Sequence, residues 1–372
     1  MTSLKQPLHL FEAYGVEMEY MIVHRHELHV MPICDKLIYE EVGAYLSDVE
    51  FGDIAWSNEL VLHVVELKSQ KPTASLAHLH KAFQAHVQKI NHLLEKHDAM
   101  LLPTGAHPLM NPYTDTRLWP HEHNAVYEAY NRIFDCRGHG WANLQSTHLN
   151  LPFQGDEEFG KLHAAIRVVL PILPALSAST PILDGTITGF ADSRLEVYRH
   201  NQKEIPSIAG KVIPEAVFSK AAYDQQILQK MYAAIADRDP EGTLQEEFLN
   251  SRGAIARFER GAIEIRVLDL QESPLADVAI LQAVVALIKA LVAEKWVPIE
   301  QLKQFHEDQL AAIFLEVVRQ GGDAEIKDQQ LLQVFGRKDT SCTAMKLWNY
   351  LIKETLEIDD DPEVANALRV IL

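Results

Sequence analysis

The chain has 372 residues, 47% of them hydrophobic, with 52 acidic against 34 basic side chains and a formal net charge of −18. That is enough apolar matter for one large core, and it lacks the basic footprint that neutralises nucleic-acid phosphates. Its three cysteines, Cys34, Cys136 and Cys342, lie far apart and outside any CxxC pair; they read as small hydrophobes, not as a disulfide framework or a thiolate zinc site.

The N-terminal run MTSLKQPLHLFEAYGVEMEY has neither the basic start nor the apolar stretch of a signal peptide, which predicts a cytoplasmic chain. GVEMEYMIVH, ending at His24, alternates like a strand. Glu17 and Glu19 fall on one face, and Val16, Met18, Tyr20 and Ile22 on the other. Asn58 to Ser69 (NELVLHVVELKS) reads as a second strand, rich in Val and Leu. Ser75 to Ala99 is an amphipathic helix, with Leu76, Leu79, Phe83, Val87, Ile90 and Leu94 at three- and four-residue steps. Met100 to Pro108 (MLLPTGAHP) is a short strand ending in a Gly/Pro turn, and Asn124 to Asp135 is a helix. RGHGW then supplies a glycine-rich turn before the strand LQSTHLNLP. Glu157 to Ser179 is a helix interrupted by Pro171 and Pro174. After a loop-rich middle, ARFERGAIEIRVLDL ends in strong alternation. The most apolar window, Leu275 to Trp296, carries Asp277, Lys289 and Glu294, and predicts a buried helix, not a membrane span.

Strands concentrate in the first three-quarters and helices gather at the end. This predicts an α+β fold, a largely antiparallel sheet with helices packed on one side. No linker divides the chain, so a single domain spans 1–372, mostly helical from about 275. No GxGxxG or GxxxxGK[ST] opens a helix, so a nucleotide site, if present, is not a P-loop.

Several strands carry acids or imidazole inside apolar surroundings: Glu17 and Glu19, Glu59 and Glu66, His148, and Glu264 with Arg266. Two carboxylates on one strand are usually a solvated face. Five glutamates gathered on one sheet repel each other unless cations join them. Hard divalent ions such as Mg²⁺ or Mn²⁺ favour such oxygen donors, with one histidine added. By contrast, His121 and His123 in WPHEHN, and the histidines of AHLHKAFQAH, read as solvated side chains. Arg137 and Trp141 of RGHGW shape a cavity wall or merely a turn, and Gln145 reaches a substrate or completes a hydrogen-bond network.

GVEMEY, the Glu59–Glu66 pair, TGAHP, the QSTH strand and RFERGAIEIRVLD together resemble glutamate–cysteine ligases, over about Tyr14 to Asp269. The nearest likeness is to the bacterial carboxylate–amine ligase branch, whose fold is related to the glutamine synthetase catalytic domain. The resemblance implies an ATP- and Mg²⁺-dependent ligase that makes an amide through an acyl phosphate. The carboxylate would be glutamate's and the amine cysteine, as in glutathione biosynthesis. It implies that Glu19, Glu59 and Glu66 hold the metal nearer the substrate carboxylate. Glu17, His148 and Glu264 would hold the one bridging the ATP phosphates. Arg266 would steady the transferring phosphoryl group, Arg257 contact phosphate oxygens, and Arg194 clamp a substrate carboxylate or phosphate.

The chain departs from the pattern at Met18, where relatives often carry glutamate, and at Ala106, where threonine is common. Glu59 and Glu66 are seven apart and would face opposite sides of a regular strand, so either Glu59 precedes the strand or a bulge resets the register. Partners are expected to be small molecules, with no nucleic acid or membrane and a homodimer left open. Two other readings stand beside the ligase: a guanidino kinase-like phosphotransferase, and a non-catalytic metal- or nucleotide-binding protein of the same fold.

Overall fold

Ten alternating residues make β1 (Gly15–His24) the centre of an eight-stranded antiparallel sheet. The computed structural model describes residues 7–356 and 362–372. Along the sheet the order is β2 (Asp48–Glu50), β3 (Ile54–Asn58), β4 (Val64–Ser69), β1, β6 (Ser146–Pro152), β10 (Ala262–Asp269) and β9 (Ala254–Arg257). The first half of β1 lies between β4 and β6. Its second half pairs with β5 (Ala99–Leu102). A small ribbon, β7 (Ile182–Leu183) with β8 (Thr186–Ile187), stands apart from this sheet.

The period-two pattern sorts the two faces. Val16, Met18, Tyr20, Val65, Leu67, Leu149 and Ile265 are buried in one continuous apolar cluster that runs from Tyr14 to Leu368. Helices Leu79–Leu94, Gly155–Val169 and Pro274–Val292 supply much of its other side, through Phe83, Ile90, Leu162 and Leu281 among others. Each such side chain taken out of water contributes roughly 1.5–3 kcal/mol. The architecture is α+β, with long helices packed against the apolar face.

The Pro274–Val292 helix starts where Ser273 Oγ accepts from the amide of Ala276 (3.3 Å), with Pro274 at its first turn. Among the described residues it alone is long and apolar enough to cross a membrane, and 72% of its most apolar window is buried in the fold. On the apolar face of β6, Thr147 Oγ1 donates to Asp277 of this helix at 2.5 Å, tying the two layers together.

Three elements differ from their sequence-based expectation. Asn58–Ser69 is a hairpin, not one strand: β3 ends at Asn58 and β4 starts at Val64. Asn58 turns its side-chain amide onto Glu59 O (3.0 Å), a local bond of the kind that competes with the ladder. The amphipathic helix spans Leu79–Leu94 rather than Ser75 to Ala99, and Ala99 already belongs to β5. RGHGW contains a short helix, His139–Ala142. Arg137 turns outward onto Asp135 (2.7 Å), while Trp141 faces inward.

Candidate active site

The polar face of the sheet floors a cavity of about 770 Å³. Antiparallel register lines its charges up in two cross-strand rows. One runs Asp48, Ser57, Glu66, Glu19. The next runs Ala55, Lys68, Glu17, His148. The hairpin explains the seven-residue spacing: Glu59 lies in the β3–β4 loop, half-buried, and reaches the cavity from its rim.

Glu19 Oε2 accepts from both the backbone N–H (2.7 Å) and the hydroxyl (2.8 Å) of Ser146. Because that hydroxyl donates to Glu19, it accepts from His148 Nε2 (2.8 Å), while His148 Nδ1 meets Glu17 Oε2 at 3.0 Å. Both ring nitrogens then act as donors, the pattern of an imidazolium. Burial works against this charge, but Glu19 and the Glu17 hydrogen bond prevail and raise the His148 pKa.

Ligand atoms of Glu19, Glu59 and Glu66 lie within 4.8 Å of one another, and those of Glu17, Glu66 and His148 do likewise. Glu66 therefore belongs to both groups. Burial first, and Glu17's negative charge second, push Glu66 up to about 7. Glu59 is driven well above the ordinary carboxylate range by burial, then by Glu66, Glu19 and Glu17. The carboxylates outnumber the positive charges beside them, Lys68 and His148, and an oxygen-rich set of this kind fits a hard divalent cation.

A third grouping, His24, Glu27 and His29, lies at the far end of β1. There His24 Nδ1 accepts the backbone N–H of Glu27 (3.1 Å), so its ring caps the turn and its other nitrogen carries the proton.

The opposite end of the cavity is cationic. Between Ile265, paired with Leu149, and Leu268, paired with Thr147, Arg266 and Val267 oppose the single residue His148. This bulge lets Glu264, Arg266 and Asp269 all face the polar side. Arg266 binds Glu264 Oε1 through Nη2 (2.7 Å) and Nε (3.1 Å), and a hydrogen bond with Tyr198 helps raise its pKa. Burial alone would raise Glu264, but Arg266, His148 and Arg257 overcome it and hold the carboxyl at about 2. Arg257 is half-buried and has no ion pair among the described residues.

Arg194 is buried, and its Nε donates to Asp269. Asp269 Oδ2 also accepts from Ser179 N (2.9 Å), Ser179 Oγ (3.3 Å) and Thr180 Oγ1 (3.0 Å). Arg194 Nη2 is buried without a hydrogen bond among the described residues, in a side chain that lines the cavity. The glycine of TGAHP is required here, because a Cβ on Gly105 would stand 2.7 Å from Asp269 Cγ. Gln145 is fully buried, its side-chain amide has no hydrogen-bond partner among the described residues, and it lies outside the cavity lining.

All nine residues singled out in the sequence therefore line one cavity. Glu264 feels the His148 charge but gives Oε1 to Arg266 and joins neither acidic group, whereas Glu66 joins both. Sequence reasoning missed Lys68, Ser57, Ser146, Tyr198 and Asp269. Alternation from Glu66 places Lys68 on the polar face, and alternation from His148 places Ser146 there. Asp269 needed the bulge, which carries no sequence signal.

The family model for glutamate-cysteine ligase family 2 matches residues 13–348. The chain belongs to this family. It is 36% identical over 280 residues to an uncharacterized protein of Archaeoglobus fulgidus, covering 75% of each chain. Two proteins named "Putative glutamate--cysteine ligase 2" are more distant. The one from Cronobacter sakazakii is 27% identical over 192 residues, 50% of this chain and 45% of that one. The one from Rhodopirellula baltica is 26% identical over 281 residues, 73% and 68%. In fold, the chain is similar to a bifunctional glutathione synthetase from Pasteurella multocida, with a TM-score of 0.51 at 12% identity. That match covers 97% of this chain and 49% of the synthetase, so the chain spans about half of that protein's length. Membership makes the protein a carboxylate–amine ligase of the glutamate–cysteine ligase type, acting on small molecules.

Proposed function

We propose that the protein is an ATP-dependent ligase that joins the γ-carboxylate of glutamate, or of a close analogue, to an amine such as cysteine, with the whole chain acting as one catalytic domain. The observation that carries this reading is the polarity of the cavity: two acidic groups share Glu66 at one end, and Arg257 and Arg266 stand free of the acid rows at the other. Glu19, Glu59 and Glu66 would hold one divalent ion, Mg²⁺ or Mn²⁺ by their oxygen chemistry. Glu17 and His148 would hold the second, with Glu66 between the two and Glu264 contributing its Oε2. Bound ATP would supply the phosphoryl group that turns the carboxylate into an acyl phosphate, with ADP leaving and the metals stabilising the charge; the amine would then displace phosphate.

The chain's own residues then have separate tasks. Arg266 presents a planar fork to phosphoryl oxygens, and its tie to Glu264 fixes the plane of that fork. Arg257 adds charge on the same side. Arg194, anchored by Asp269, keeps Nη2 for a substrate oxyanion, either carboxylate or phosphate. Tyr127, Tyr130, Trp141 and Phe248 give the cavity an aromatic wall, with the Tyr130 ring 5.3 Å from that of Trp141 and 6.4 Å from that of Phe248.

The test is incubation of the full chain with ATP, Mg²⁺, glutamate and an amine library, with products identified by mass spectrometry. The expected products are a γ-glutamyl amide, ADP and free phosphate, all lost with chelator. A phosphorylated acceptor without free phosphate would make the protein a kinase. No turnover across the library would leave it a binding protein.

A further inference from the structure

Glu66 is the carboxylate common to both acidic groups, and its Oε1 is already approached from two sides. Ser57 Oγ donates to it at 2.7 Å, and Lys68 Nζ stands 3.6 Å away. Lys68 is two residues beyond Glu66 on β4, so it projects from the same face, and it pairs with Glu17 across β1. On its outer side the ammonium is ion-paired to Asp48 of the edge strand β2. The lysine side chain is 27% exposed, so its charge is largely sheltered from solvent screening.

We propose that Lys68 is a tethered counter-cation that competes with a divalent ion for Glu66 and thereby sets the metal affinity of the free enzyme. The inference rests on the reading of this cavity as a metal site. An ion entering either group meets the lysine charge across one shared carboxylate. The ammonium already rests on Asp48, so the ion displaces only the longer 3.6 Å contact to Glu66 and is then held against the lysine's charge. With no ion present, the same charge relieves repulsion among Glu17, Glu66 and Asp48. Lys68 therefore stabilises the metal-free protein at the expense of metal affinity, and binding an ion has to recover that difference. The lysine reaches the acidic groups through Glu66, 3.6 Å from its ammonium, and through its cross-strand neighbour Glu17.

Mn²⁺ titration of the full chain without nucleotide, read by the electron paramagnetic resonance signal of the free ion, tests this directly. Lys68→Met is expected to bind Mn²⁺ on the order of tenfold more tightly than the wild type. Lys68→Gln, which keeps a polar tip for Asp48, should behave in the same way. Lys68→Arg keeps the charge and should stay within about twofold. Lys71→Met removes an exposed lysine outside the cavity and should also leave affinity within about twofold. The melting-temperature rise on adding Mn²⁺ should be larger for Lys68→Met than for wild type, a readout independent of turnover. Equal affinity in Lys68→Met, Lys68→Gln and wild type overturns the proposal, as does Lys68→Arg binding as tightly as Lys68→Met; in either case the ligase reading survives. A wild-type protein that binds no Mn²⁺ overturns both.

Discussion

Glu66 and Glu264 stand on the same face of one sheet, separated by β1 and β6, and both are nearly buried, at 8% and 3% exposure. Burial pushes each carboxyl upward. At Glu66 the next influence is the negative charge of Glu17, and the group reaches about 7. At Glu264 the neighbours are Arg266, His148 and Arg257, and the group is held at about 2. The acidic end of the cavity is short of positive charge, whereas the arginine end carries its own. A cation from outside has a reason to bind at the first and an anion at the second, and that asymmetry is what a phosphoryl-transferring ligase needs.

The largest expected effect comes from removing the shared carboxylate. Glu66→Gln should lower kcat/KM by about a thousandfold or more and abolish Mn²⁺ binding at both groups. Glu264→Gln should cost about ten- to a hundredfold and spare the Glu19–Glu59–Glu66 group. Parallel kinetics and Mn²⁺ titrations separate the two. If Glu264→Gln removed both ions while Glu66→Gln removed neither, the two ends would have been read the wrong way round.

Asp269→Asn attacks the self-compensated end. It leaves the buried Arg194 charge without its partner, and breaking such a pair costs about 3–5 kcal/mol. Urea unfolding should show that loss. A midpoint indistinguishable from wild type would mean that Arg194 draws its compensation elsewhere.

Arg266→Lys should reduce kcat by about a hundredfold while leaving the melting temperature within a few degrees. Lysine keeps the charge and loses the fork. Near-normal turnover would recast Arg266 as only the partner of Glu264.

The smallest effect lies beneath the site. Burial raises Asp277 from 3.8 to about 7, so the folded protein holds a proton there that the unfolded chain releases. Its contribution to stability is full below about pH 4 and is lost as pH rises through about 7, with a slope of at most about 1.4 kcal/mol per unit. Asp277→Asn keeps the oxygen that accepts from Thr147 and removes the titration. Urea midpoints at pH 5 and pH 8 should therefore differ less in the variant than in wild type. Equal pH dependence in the two would place the proton elsewhere.

Much of this site was legible because period-two alternation survives wherever one face of a strand is apolar. Val16 and Met18 put Glu17 and Glu19 on the opposite face, and Ile263 and Ile265 did the same for Glu264 and Arg266. The same rule failed at Glu59, where the hairpin after Asn58 takes the residue off the strand. It failed again at Asp269, whose parity with Arg266 is reset by the bulge opposite His148. Which acids converge is a matter of register between strands far apart in sequence. Alternation within each strand is blind to that, and so Glu66's place in both groups emerged only from the fold.

The central claim is that this cavity holds two divalent ions that share Glu66. Anomalous diffraction at the manganese edge, from crystals of the full chain soaked with Mn²⁺ and a non-hydrolysable ATP analogue, tests it most directly. One peak is expected among Glu19, Glu59 and Glu66 and a second among Glu17, Glu66 and His148. An empty cavity, or manganese found only at the surface turn of His24, Glu27 and His29, would contradict it.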